Sequence, residues 1–206
     1  MVTNFEKISF RCGKAFLPIV LISQIISPVF ADQTVIPDGA DRDAWMLLKG
    51  AHDARQVLPD DFKGFDADLK FLINEKAYSG TLKFRNQKNG TEIKLEGPDK
   101  EEIDWLKDKL ISMIGHRRGG EFSKRDGRHK ITFGKGEKTN WQGTIVDLND
   151  QLNSSYRIKD AKVKEVTRSF GKTTFTISVI QTMTADPGKY LANHFLVTYR
   201  NSKSRA

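Results

Sequence analysis

Phe65-Asp66-Ala67-Asp68-Leu69-Lys70-Phe71 alternates apolar and charged residues without a break. Successive side chains of an extended strand point to opposite faces. Phe65, Ala67, Leu69 and Phe71 therefore share one face and Asp66, Asp68 and Lys70 the other, which is a strand with one wet side. The same style continues in residues 77–85 and 91–95, joined through Gln87-Lys88-Asn89-Gly90. Asn-Gly tolerates the positive φ of a type I′ turn, so the stretch reads as an antiparallel meander.

Helical patterns flank this meander. Upstream, Asp41 or Asp43 can cap a helix in which Trp45, Leu48 and Ala51 recur at three-residue spacing, joined by Met46 and Leu47, until Leu58-Pro59 stops it. Gly50 inside it costs about 1 kcal/mol relative to alanine and reads as the mark of a close packing contact. Downstream, Pro98-Asp99 opens a second helix with Ile103, Leu106, Leu110, Met113 and Ile114 as its apolar stripe and Gly119-Gly120 as its end. Strands return from Phe122: 122–125 linked by Asp126-Gly127 to 129–133, then 144–148, 155–159 paired with 163–168 across Asp160-Ala161, 173–182 and 195–200. Eight or nine short strands and two amphipathic helices, with no βαβ alternation, give the α+β class with a single large, mostly antiparallel sheet.

The first 31 residues predict export. Lys7, Arg11 and Lys14 precede an apolar run from Ala15 to Ile26, and Val29-Phe30-Ala31 then leads into Asp32. That order is a secretory signal peptide cleaved after Ala31, which leaves residues 32–206 as one domain. Pro18, Ser23, Gln24 and Pro28 interrupt the run, against the alternative of a membrane anchor of roughly 20 apolar residues. Cys12, the sole cysteine, leaves with the leader, so the mature chain has no disulfide, thiolate metal site or cysteine nucleophile. The whole chain has 34 basic and 26 acidic residues; less the leader's Lys7, Arg11, Lys14 and Glu6, 31 stand against 25, a net +6. Nucleic acid does not suit an exported chain of this moderate, dispersed charge, whereas an anionic surface does.

No catalytic set emerges from spacing. His52, His116, His129 and His194 are scattered singly, outside any H-E-x-x-H or H-x-H arrangement, and no G-x-S-x-G elbow is present. Gly134-Lys135-Gly136 lies between strands and opens no helix, so it is no phosphate loop. The sequence thus names no catalytic residue, no metal ligand and no cofactor. The densest positive stretch carries Arg117, Arg118, Lys124, Arg125, Arg128 and Lys130 against Glu121 and Asp126. On a helix end and an adjoining hairpin these side chains suit an anionic membrane surface or the acidic face of an envelope protein; a solvated strand edge blunted with charge is the plainer reading.

Phe62-Lys63-Gly64-Phe65, His116-Arg117-Arg118, Tyr156-Arg157-Ile158-Lys159-Asp160 and Val197-Thr198-Tyr199 resemble a family of mostly cyanobacterial proteins of unknown function (DUF3386). The resemblance brings no catalytic residues; it implies one exported domain in the periplasm or thylakoid lumen. The order of elements is also similar to the lipoprotein-carrier fold, a curved half-barrel sheet partly closed by helices around an apolar cavity. A bent sheet must take both helical stripes on its concave face, and such a half-barrel can hold a cavity or be packed solid. The leading expectation is a noncatalytic binding protein holding a lipid, pigment or other apolar small molecule. Its ligand-facing candidates are Trp45, Leu48, Phe71, Leu82, Phe84, Trp105, Leu110, Ile145 and Phe175, each of them equally a core candidate. The alternative is an interaction or envelope-assembly module using the basic stretch, and an enzyme of unidentified class is the minor one.

Overall fold

The computed structural model describes residues 35–73, 75–85, 92–96, 100–135, 139–140 and 142–201, with backbone alone for 92–96 and 139. The leader expected over residues 1–31 and the Asn89-Gly90 turn lie outside these. All described residues belong to one unit, 34–206.

Helix α1, Arg42–Asp53, starts where the Asp41 carboxylate accepts the backbone N–H groups of Asp43 and Ala44 at 2.9 and 3.1 Å. That cap satisfies two donors that have no partner within the helix. Its buried side is Ala44, Trp45, Leu48 and Ala51, the spacing of a single helical face. The helix ends before the expected Leu58-Pro59 stop. Residues after Ala54 are drawn into extended pairing instead: Gln56 N–H donates to the Tyr190 carbonyl and Leu58 N–H to the Arg117 carbonyl, each at 2.7 Å. Nor does Gly50 mark a close contact, since a Cβ there would meet nothing within 4 Å. Gly50→Ala is expected to stabilise the protein by about 0.5–1 kcal/mol, read as a higher urea midpoint.

The opening alternation folds as expected. Strands β1 (Gly64–Ile73), β2 (Lys76–Arg85) and β3 (Glu92–Glu96) form an antiparallel sheet in that order. Phe65, Ala67, Leu69 and Phe71 stand opposite Phe84, Leu82, Gly80 and Tyr78, and every residue between them on β1 is exposed. Helix α2, Lys100–Gly115, packs Leu110 and Ile114 against Leu82, Phe84, Phe65, Ala67 and Leu69, with Leu58 and Phe62 completing the cluster.

The other strands are β4 (Ile131–Phe133), β5 (Thr139–Asn140), β6 (Gly143–Leu148), β7 (Ser155–Lys159), β8 (Lys162–Phe170), β9 (Thr173–Thr184) and β10 (Tyr190–Asn201). They form a second antiparallel sheet ordered β10-β9-β8-β7-β6-β4, with β5 paired to β6. The α+β class with antiparallel strands holds. The strands divide between two sheets because α2 and a pair of turns follow β3 and interrupt the meander. The β7–β8 hairpin turns on Asp160 and Ala161, both with positive φ (53° and 54°), as a two-residue type I′ turn requires.

α1 lies on β4, β7 and β8, where Trp45, Leu48, Ile131, Val146, Leu148, Tyr156, Ile158 and Val163 are buried together. The hairpin expected across Asp126-Gly127 is replaced by two short 3-10 turns, Phe122–Lys124 and Asp126–Arg128. Trp45 explains the change: its indole N–H donates to the Gly127 carbonyl at 2.9 Å, and the Phe122 ring meets it edge-on at 4.9 Å between centroids. Closing over the indole takes the segment out of the sheet.

Candidate functional site

The nine candidate ligand-facing residues do not meet on one surface. Trp45 and Leu48 are 0 and 1 % exposed inside the α1 core, and Leu82 and Phe84 are buried under α2 with Leu110 against them. Phe71 stacks on Tyr78 at the far end of β1 and β2, and Ile145 is half-buried on β6 with Gly134 against it. Trp105 is 55 % exposed on the outer side of α2, beside Lys109. Phe175 alone sits on a face that is both apolar and incompletely covered.

Strand register defines that face. Residues directly opposed in an antiparallel pair share a side, and the row Val146, Tyr156, Val166, Ile177, Val197 runs from the core beneath α1 out to β10. Neighbouring rows pair Val179 with Phe195 and Phe175 with Tyr199. The six residues Phe175, Ile177, Val179, Phe195, Val197 and Tyr199 thus form an apolar strip on the inner face of β9 and β10. All but the exposed Tyr199 are half-buried, since α1 covers β4, β7 and β8. α2 meets one end of the strip through a long side chain. Lys109 Nζ donates to the Tyr199 hydroxyl at 3.0 Å and lies 4.8 Å from its ring. Ile177, Val179, Phe195 and Val197 escaped the sequence reading: Thr176 and Ser178 give Ile177 polar neighbours as on β1, but the apolar Ile180 and Leu196 break the alternation beside Val179 and between Phe195 and Val197.

The basic stretch also divides. Lys124 is paired with Glu121 at 2.9 Å, Arg128 Nε donates to His129 at 3.2 Å, Arg118 stands 6.0 Å from the Phe84 ring, and Lys130 lies along Gly39. Arg117 and Arg125 turn the other way. Arg125, against Gly120, stands at the edge of an open cleft of about 360 Å³ between the end of α1, the Gly119-Gly120 loop and the β9–β10 turn, lined by His52, Asp53, Arg55, Gln56, Lys189 and Asp186 among others, while Arg117 donates to the Ala192 carbonyl, two residues past the Tyr190 that pairs with Arg55. Arg125 packs so closely on Gly120 that a Cβ there would strike its guanidinium at 2.4 Å.

The field at this cleft is positive. His52 is held below its ordinary pKa by burial and then by Arg55, and His116 by burial and then by Arg168, Arg55 and Arg117. Arg117 is itself lowered by burial and by Arg55. Deeper in, Tyr156 donates to Asp126 at 2.8 Å and accepts from Arg168 at 2.8 Å.

Among the described residues no three His, Cys, Asp or Glu side chains are grouped to hold a metal ion, and no helix is long and apolar enough to cross a membrane. Neither a curated protein nor a solved structure matches the chain. One family model does match, over residues 40–206 and so both sheets and both helices, and the chain belongs to that family, the proteins of unknown function DUF3386.

Proposed function

We propose that the domain is an exported, noncatalytic binding protein whose ligand, a lipid or other apolar small molecule, lies along the β9–β10 strip beneath α2. The observation that supports this reading is the strip itself: six large apolar or aromatic side chains on one inner face, continuous in register with a filled core yet left half-covered. Apolar area that can still leave water is what drives uptake of such a ligand, at roughly 25 cal/mol per Å².

A neutral apolar fluorophore such as N-phenyl-1-naphthylamine tests it. Wild type should take up the probe almost independently of salt, and an Ile177→Thr/Val197→Thr variant should bind about tenfold more weakly. Threonine keeps the β-branched shape these strands need, so secondary structure should be unchanged. Equal uptake by both proteins, or none by wild type, would overturn the proposal. The interaction or envelope-assembly reading has less support, because the basic stretch on which it rests is split: Lys124 is paired with Glu121, Arg128 donates to His129, and Arg125 turns to Gly120 at the edge of the cleft.

A further inference from the structure

Arg55 and Arg117 are half-buried neighbours, and neither has a carboxylate within ion-pair distance among the described residues. Arg55 spends its Nε on the His52 carbonyl at 3.3 Å, and Arg117 one nitrogen on the Ala192 carbonyl. Two like charges held this way cost stability through repulsion and lost hydration, a cost usually offset by an acid placed between them. The sequence has acids close by but commits them elsewhere. Asp53 is bound by Lys49 and by His52 at 3.1 Å, and Asp126 accepts from Tyr156. Asp186 on the β9–β10 turn is the remaining carboxylate on the cleft wall, against Arg55 and Lys189 on that wall and Arg125 at its edge, with Arg117 beside Arg55.

We propose that this cleft is an oxyanion-binding site that takes a phosphate or carboxylate group, either free or as the headgroup of a lipid. A guanidinium offers parallel N–H donors that match two oxygens of such a group, and two guanidiniums beside each other match a tetrahedral phosphate better than they match one another. Gln56 on the same wall has a buried amide oxygen with no partner among the described residues, an acceptor for a hydroxyl carried by the ligand. An anion seated here would also offset the Arg55 charge that, after burial, lowers the pKa of His52. The site stands apart from the apolar strip and does not depend on that reading.

Calorimetric titration of the purified full-length protein with inorganic phosphate, at constant ionic strength, tests the free form. Co-sedimentation with phosphatidylcholine vesicles, with and without phosphatidic acid, tests the headgroup form. Arg55→Gln/Arg117→Gln should fold, because it removes a repulsion, and should weaken binding tenfold or more. Arg55→Lys/Arg117→Lys keeps the charge, loses the paired donors and should fall between the two. Lys124→Gln/Arg128→Gln removes the same net charge outside the cleft and should bind as wild type does. Phosphate binding lost in the arginine variant supports a free oxyanion as ligand; binding that needs phosphatidic acid and is lost in the same variant supports a headgroup. No binding of either probe by wild type, or equal weakening by the Lys124/Arg128 control, would overturn the site. Uptake of the neutral fluorophore should be the same in all of these variants, so the two proposals fail separately.

Discussion

Trp45→Ala is expected to lower the unfolding free energy by about 3–5 kcal/mol, a large part of the 5–15 kcal/mol typical of a whole domain. Trp45 is fully buried, so alanine leaves a cavity between α1 and the large sheet that the surrounding side chains can only partly fill. A second loss adds to the first. The Gly127 carbonyl gives up the indole N–H, and the Phe122 ring gives up its edge contact. Trp45→Phe keeps most of the volume but not the donor and should fall well short of the alanine loss. Urea unfolding of the three proteins measures both, and a loss below about 1 kcal/mol for alanine would mean that α1 is not anchored through this side chain.

That one indole also shows where the sequence stops being legible. The strand character of residues 65–71 is readable because it is local: period two with one wet face leaves no competing structure, and β1 takes the register the pattern implies. The start of α1 is readable for the same reason, since Asp41 caps donors only two and three residues away. Its end is not, because Arg55 to Leu58 are claimed by Tyr190 and Arg117, far away in the chain. Residues 122–128 carry hairpin signals in Asp126-Gly127 and are folded into turns by Trp45, 82 residues before Gly127. The candidate site follows the same logic. Alternation with Thr176 and Ser178 says that Ile177 faces inward, and pairing sets Val197 opposite it; which helix covers them depends on where α1 and α2 come to rest, and no local pattern encodes that. Trp105, at helical spacing within an apolar stretch, is mostly exposed, while Leu110 and Ile114 on the next turns reach the core. Arg55 has no signal at all in sequence, being one cation among 34 until the fold sets it against Arg117 without an acid.

Asp126→Ala should cost about 2–4 kcal/mol, more than its half-exposed position suggests. Asp126 accepts from the hydroxyl of Tyr156, which is 6 % exposed, and that hydroxyl accepts from Arg168. Burial, and then the Asp126 charge, push the Tyr156 phenol far above its ordinary range, so it stays protonated and keeps donating. Burial works against the charge of Arg168, and Tyr156, Asp126 and Asp150 more than offset it. Deleting the carboxylate leaves a buried hydroxyl without its acceptor and a guanidinium, whose Nε already lacks a partner among the described residues, without its nearest compensating charge. Asp126→Asn keeps an acceptor and should cost less. Arg168→Met tests the chain of hydrogen bonds as a unit: once the guanidinium is gone there is less charge for Asp126 to compensate, so the double variant should lose clearly less than the two single losses added together. Strict additivity in urea unfolding would show that Asp126 and Arg168 act separately, each through its own bond to the Tyr156 hydroxyl.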